Sequence, residues 1–115
     1  MSTTRPAISH PLPDALLEMI AGRFRALAEP TRIKLLDRLH DGEATVGELT
    51  EITGTTQQNV SKHLGVLHQA GIVARRKSGN FSYYRIADPT VFALCDAVCG
   101  SLRRELEELE RAFSE

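Results

Sequence analysis

No stretch of this chain approaches the ~18 consecutive apolar residues that a membrane-spanning helix needs. Its first residues also lack the basic region, apolar run and small-residue cleavage site of a secretory leader. Both absences point to a cytoplasmic protein with no membrane partner. Only two cysteines occur, Cys95 and Cys99, late in the chain and close together. They cannot form a disulfide framework. Enzymatic signatures are missing as well: no Gly-x-Ser-x-Gly elbow, no phosphate loop, no His-Glu-x-x-His and no carboxylate pair in a pocket-forming context. An enzyme is not expected, and no cofactor is required. Nor is there any internal repeat or low-complexity segment. A strong net charge is absent too, with −1 overall and an isoelectric point near 6.4, which alone would not suggest a nucleic-acid partner.

One further absence is local, and it reverses that reading. From Ile52 to Ala87 there is no Asp or Glu, while Lys62, Arg75, Arg76, Lys77 and Arg85 supply five positive charges. With −1 overall, the remaining residues carry −6. Charge is segregated along the chain rather than mixed. A polyanion responds to the local face within a Debye length of roughly 8 Å, so the global value is a poor guide.

The acid-free segment has a recognisable pattern. Val46 to Thr53 reads as a short helix with Leu49 and Ile52 inward and Glu48 and Glu51 outward. Gly54 closes it, because a residue that accepts positive φ is cheapest at that position. Thr55 or Thr56 then caps a second helix through its hydroxyl, and that helix runs to about Ala70 before Gly71. Val60, Leu64 and Leu67 fall on its buried face, with Gln58, Lys62, Gly65 and Gln69 opposite and Gln57 and Ser61 at the edge. Two helices joined by a short turn containing glycine form a helix-turn-helix. The amides, hydroxyls and lysine of the second helix are the groups that read base edges and grip phosphates in a major groove. On an isolated amphipathic helix the same residues would be only a solvated face.

Beyond it, Ile72–Lys77 and Phe81–Ile86 are β-prone runs around Ser78-Gly79-Asn80, the pattern of a hairpin. Arg75, Arg76, Lys77 and Asn80 lie on its arm and tip. Helix-turn-helix plus basic hairpin makes a winged helix. Thr56, Gln57, Gln58, Asn59, Ser61, Lys62 and His63 join those four as candidate DNA contacts, with His63 nearer the buried flank and partly structural. Tyr83 and Tyr84 alternate across a strand, one to pack inward and the other free to touch the DNA backbone. Thr45-Val46 can add a short third strand.

At 115 residues the chain is one domain, and its 42% apolar content supports a modest core. Residues 1–11, polar with two prolines, read as a flexible N-terminal arm, and 12–115 as the DNA-binding and dimerisation domain. A helix begins at Pro13-Asp14 with Leu16, Leu17, Ile20, Phe24 and Leu27 as its apolar stripe. The next starts at Pro30-Thr31 and ends near Gly42, with Ile33, Leu35, Leu36 and Leu39 buried and Arg32 a surface residue. The last runs from Pro89 to about Phe113 with Val91, Leu94, Val98, Leu102, Leu106, Leu109 and Phe113 in one stripe. Such a helix spans nearly 38 Å, longer than so small a domain can cover. The first and last helices should therefore pack on a second copy. A two-fold homodimer would place its recognition helices on an inverted-repeat operator of double-stranded DNA, with half-sites about one helical turn apart.

Several motifs in order carry a family resemblance: Phe24 to Leu36, Val46-Gly-Glu-Leu49, Val60-Ser-Lys-His-Leu64, Leu67 to Val73, and Gly79 to Tyr84. Together they make the chain resemble the ArsR/SmtB family of bacterial transcriptional repressors, closely over residues 22 to 87 and more loosely outside. The resemblance implies a mainly α fold with a small β-hairpin wing, and a homodimeric repressor that leaves its operator when an inducer binds. Metal-sensing members often carry Cys-x-Cys on the helix before the recognition helix, but Val46–Glu51 has no cysteine. Others bind zinc through carboxylates and histidines of the last helix, yet His10, His40, His63 and His68 all precede it.

Cys95 and Cys99 remain. At i and i+4 they share a helix face at the edge of the dimer stripe. Two thiolates there can chelate a soft metal or metalloid, and the dimer axis can bring four together. They can equally sense oxidation, or simply fill the interface as small apolar side chains. A protein-docking winged helix and a repressor without any small-molecule inducer are the alternatives to an inducible repressor. The acid-free segment favours DNA, since a protein-docking wing has no need to exclude acids.

Overall fold

Leu35, Leu49, Val60, Leu64, Leu67 and Ile72 are completely buried, and the helices and sheet are arranged around them. The computed structural model describes residues 10–114, so most of the N-terminal arm expected over residues 1–11 lies outside the described residues. In chain order the elements are α1 (Asp14–Leu27), α2 (Pro30–Leu39), β1 (Ala44–Thr45), α3 (Val46–Thr53), α4 (Gln57–Gln69), β2 (Val73–Ser78), β3 (Phe81–Ile86) and α5 (Thr90–Phe113). This is the winged helix-turn-helix read from the sequence.

Local chemistry sets the boundaries. Before α2 the Glu29 carboxylate accepts the backbone N–H groups of Thr31 (2.7 Å) and Arg32 (3.3 Å), with Pro30 following at the first helical position. Thr45 and Glu48 form a reciprocal capping box at the start of α3: the Thr45 N–H donates to Glu48 Oε1 at 2.8 Å, and the Glu48 N–H donates to Thr45 Oγ1 at 3.1 Å. Gly54 leaves α3 with φ of 71°, a left-handed conformation that would strain any other residue. Of the two threonines able to cap α4, Thr56 does so, its Oγ1 accepting the Asn59 N–H at 3.0 Å.

The three strands are antiparallel in the order β1-β3-β2. Val73 pairs with Ile86 at the base of the hairpin and Ser78 with Phe81 at its tip, leaving Gly79-Asn80 as a two-residue turn. Gly79 takes φ of 62° while Asn80 stays negative, which matches the type II′ pattern with glycine first. The third strand is Ala44-Thr45 rather than Thr45-Val46: Ala44 pairs with Tyr84, and Val46 is already committed to α3 by the capping box.

Three residues and one helix end depart from the sequence reading. Ile33, expected to be buried, is 45% exposed because it faces outward from α2 beside Phe24 and Val98. Ile52 is also exposed, since the two-turn helix α3 aims Leu49 into the core with Val46 beside it and leaves Ile52 on the flank. α2 ends at Leu39, short of Gly42. Val91, assigned to the dimer stripe, is buried within its own chain.

The rest of the α5 stripe finds no cover in the single chain. Leu94, Val98, Leu102, Leu106, Leu109 and Phe113 are 40 to 83% exposed on a helix of 24 residues, about 36 Å long. Phe24 and Leu17 of α1 are exposed as well, whereas Leu16 and Ile20 are half-buried. Together α1, α2 and α5 enclose an open apolar groove of about 610 Å³ that includes Phe24, Ile33, Leu94, Val98 and both cysteines.

Candidate nucleic-acid interface

The recognition surface begins with α4. Val60, Leu64 and Leu67 anchor one side of it in the core, and that packing turns Gln57, Gln58, Ser61 and Lys62 out to solvent. Thr56 is exposed but spends its hydroxyl on the cap, and Asn59 is half-buried with its Nδ2 donating to Thr55 Oγ1 at 3.2 Å. These two residues shape the first turn of α4. Free amide, hydroxyl and ammonium groups are left on Gln57, Gln58, Ser61 and Lys62.

His63 does not belong to that surface. The reading that placed it among the DNA contacts is corrected by its burial, with only 7% of its area exposed. The Arg32 guanidinium donates to its Nδ1 at 2.9 Å, and because a guanidinium can only donate, the ring accepts there and carries its proton on Nε2. That nitrogen lies 3.9 Å from Glu29 Oε1. Arg32 is likewise more than the surface arginine expected. Its Nε donates to the Ala26 carbonyl at 2.7 Å and its Nη2 to the Arg25 carbonyl at 3.2 Å. One side chain thus binds two carbonyls at the end of α1, the Arg25 one shared with the Ala28 N–H at 3.2 Å, and also holds α4. Sequence spacing carries no signal of such a link, because residues 32 and 63 meet only through the fold.

The wing divides its cations between two faces. Side chains alternate along a strand, so Arg75 and Lys77 share the face that Val73 turns to the core, carried past the core by the hairpin. Arg76 points to the other face. There it donates to both Glu43 carboxylate oxygens, at 3.2 and 2.8 Å, and stacks 4.5 Å over the ring of Tyr83, its cross-strand partner. The Arg76 hydrogen bond holds the Glu43 carboxyl below the ordinary carboxylate value. The acid comes from Glu43, nine positions before the acid-free segment, so the wing is less positive than its own sequence implies. Asn80 is exposed at the tip. Tyr84 packs inward and Tyr83 stays half-buried beneath Arg76.

Cys95 is half-buried and Cys99 exposed on the α5 groove. Burial pushes the Cys95 thiol pKa up, and the adjacent Asp96 charge adds to the rise. Among the described residues no group of three or more His, Cys, Asp or Glu could hold a metal ion. One chain therefore offers a soft ion two sulfur ligands at most.

Relatives share this architecture. A helix-turn-helix domain family matches residues 27–76. The HTH-type transcriptional regulator Rv0081 of Mycobacterium tuberculosis is 38% identical over 96 residues, covering 83% of this chain and 84% of that one. Its crystal structure superposes with a TM-score of 0.73 at 37% identity, over 84% of this chain and 97% of that chain. A "probable mercury resistance operon repressor" of Streptomyces lividans is 38% identical over 91 residues, 79% of this chain and 68% of the relative. The solution structure of a homodimeric winged helix-turn-helix DNA-binding domain from Mycobacterium bovis, a possible ArsR-family regulator, has a TM-score of 0.71 at 32% identity, over 87% of this chain and 91% of that one. No helix among the described residues is long and apolar enough to cross a membrane. By sequence and by architecture, the chain belongs to the ArsR/SmtB family of DNA-binding winged helix-turn-helix transcriptional regulators.

Proposed function

We propose that the protein is a transcriptional repressor that binds an inverted-repeat operator as a two-fold homodimer. The observation that carries this reading is the polar face of α4, Gln57, Gln58, Ser61 and Lys62, standing free beside the wing cations Arg75 and Lys77. Side-chain amides and hydroxyls read bases, while the cations meet phosphates. The uncovered stripe of α5 and the exposed Phe24 supply the dimer surface. Protection of a palindromic site upstream of its own gene, with half-sites about one helical turn apart, is the expected footprint. Failure to retain any duplex at low salt would exclude the repressor reading.

Cys95 and Cys99 are the inducer site in this proposal, with a soft metal or metalloid as ligand. They sit one turn apart on a groove that a second copy would cover. At i and i+4 on one helix face, the two sulfurs can chelate a soft ion together. The related Streptomyces lividans protein is named for mercury resistance. A Cys95→Ser/Cys99→Ser protein should bind operator normally and fail to release it on addition of mercury(II) or arsenite. Undiminished release from the double variant would remove the thiols from the mechanism.

A further inference from the structure

A helix seated in a major groove has a phosphate backbone on each side, and the wing accounts for only one border of α4. A groove of about 740 Å³ runs between α1 and α4, and no residue of β2 or β3 lines it. Lys62, Gly65 and Gln69 form its α4 wall, while Arg23 and Arg25 come from α1. Four of its lining residues, Arg23, Arg25, Arg32 and Lys62, are cationic, and none is acidic.

Their partners sort these cations. Arg23 is bound to Asp88 at 2.6 Å. Arg32 spends its guanidinium on His63 and on the carbonyls of Ala26 and Arg25. Arg25 and Lys62 are both exposed, and among the described residues neither has an ion-pair partner. Arg25 is not on a loose segment, because its own carbonyl is held by Arg32, which also holds α4 through His63. The base of the Arg25 side chain is therefore fixed relative to the recognition helix. Gly65, on the same α4 wall as Lys62, leaves the groove open, since a Cβ there would meet nothing within 4 Å.

The helical rotation of α4 places this groove beside the reading face rather than behind it. At 100° per residue, Lys62, Val66 and Gln69 turn to α1, and Gln57, Gln58 and Ser61 lie next to them on the solvent side. We propose that the α1–α4 groove is a second DNA-backbone anchor, in which Arg25 together with Lys62 takes a phosphate on the border of α4 away from the wing. This inference rests on the DNA-binding reading above and adds α1 to the interface. The shared chemistry is a phosphate oxyanion, which a free anion could also supply.

The test uses the full chain, a random duplex and the mapped operator, titrated between 50 and 200 mM salt. For Arg25→Ala the slope of log affinity against log salt should be shallower by about one unit per protomer, about two for the dimer, on both duplexes, so that wild type loses on the order of tenfold more affinity than the variant over that range. Arg25→Lys should restore the slope, because a phosphate accepts a point charge. Arg111→Ala, at the far end of α5, should match wild type. A purely structural role would lower affinity without moving the slope, and thermal melts check that each variant folds. An unchanged slope for Arg25→Ala alongside a reduced slope for Lys62→Ala would overturn the anchor and leave the repressor reading intact. Loss of salt dependence in wild type itself would instead sink the DNA-binding reading. Calorimetry with pyrophosphate in the absence of DNA separates the sources: saturable binding lost in Arg25→Ala, with DNA affinity and slope unchanged, would make the groove a small-anion site and overturn the proposal.

Discussion

The Arg32 guanidinium lies 2.9 Å from Nδ1 of His63, tying the first turn of α2 to the middle of the recognition helix. The contact is shielded, with His63 almost wholly buried, so it is not diluted by water as a surface pair would be. Arg32 also closes the end of α1 through the Ala26 and Arg25 carbonyls. Three helices are therefore fixed by one side chain. Arg32→Ala should lower unfolding free energy by about 2–3 kcal/mol in urea titrations, since hydrogen bonds from a charged donor are worth roughly 1.5–3 kcal/mol. His63→Ala should cost about as much, and the double variant less than the sum, with a coupling of about 1 kcal/mol. DNA affinity should fall in both while the salt slope holds, because neither side chain meets a phosphate. Strict additivity would mean that the two residues act independently.

On the wing, Arg76 is already held by Glu43, so a phosphate would have to displace that carboxylate. Arg75 and Lys77 have no such partner among the described residues. Arg76→Ala should therefore reduce DNA affinity less than Arg75→Ala, and Glu43→Gln should tighten binding and steepen the salt slope by up to about one phosphate equivalent per protomer. Filter-binding titrations of the three variants on one duplex decide it. Equal losses for Arg75→Ala and Arg76→Ala would show that Arg76 leaves Glu43 on the DNA.

These two clusters mark where the sequence could be read and where it could not. α3, α4, their caps and the hairpin are written in local pattern: a four-then-three spacing of apolar residues, Thr56 before the helix, Gly54 after the one preceding it, and glycine at the wing tip. The solvent-facing positions Gln57, Gln58, Ser61 and Lys62 follow from the same periodicity. Arg32–His63 and Glu43–Arg76 join residues 31 and 33 positions apart, and no local rule links such pairs. Sequence therefore kept His63 among the DNA contacts, though on the buried flank, and counted Arg76 as free. Ile33 was misplaced for a related reason: an apolar residue on an amphipathic helix looks buried whether its cover is the same chain or another.

Acid should weaken the fold through the carboxylates that cap and cross-link it. The Glu43 carboxyl is held low by the Arg76 hydrogen bond, Glu48 by the Thr45 backbone N–H, and Asp88 by the Thr90 hydroxyl and backbone N–H. Each folded pKa lies below its unfolded value, near 4.5 for glutamate and 3.8 for aspartate. The unfolded chain then binds more protons in the acid range, so the stabilisation is complete above those unfolded values and is lost as pH falls through the folded ones. Melting temperature at constant salt should hold steady above about pH 5.5 and fall progressively below about pH 4.5. Glu48→Gln should flatten that acid limb while starting from a lower plateau. An acid limb of wild-type steepness in this variant would show that the capping box contributes nothing to it.

The α5 stripe sets the quaternary prediction. Val98 and Leu102 are more than half exposed in the single chain and line the same groove as Phe24 and Ile33. A contiguous apolar surface of this kind is unfavourable in water at roughly 25 cal/mol per Å², and a two-fold partner presenting the same face removes it. A carboxylate placed there would be buried against apolar groups with no counter-charge, at a cost of several kcal/mol per copy. Val98→Asp should therefore sediment as a monomer at micromolar concentration where wild type is a dimer. Its melting temperature should lose the concentration dependence expected of wild type. Binding to the full operator should fall at least about a hundredfold, since the two half-sites are no longer linked, while weak salt-dependent binding to any duplex persists through α4 and the wing. A Val98→Asp protein that stays dimeric would move the interface off α5, and the same residue would then have to find its cover elsewhere in the chain.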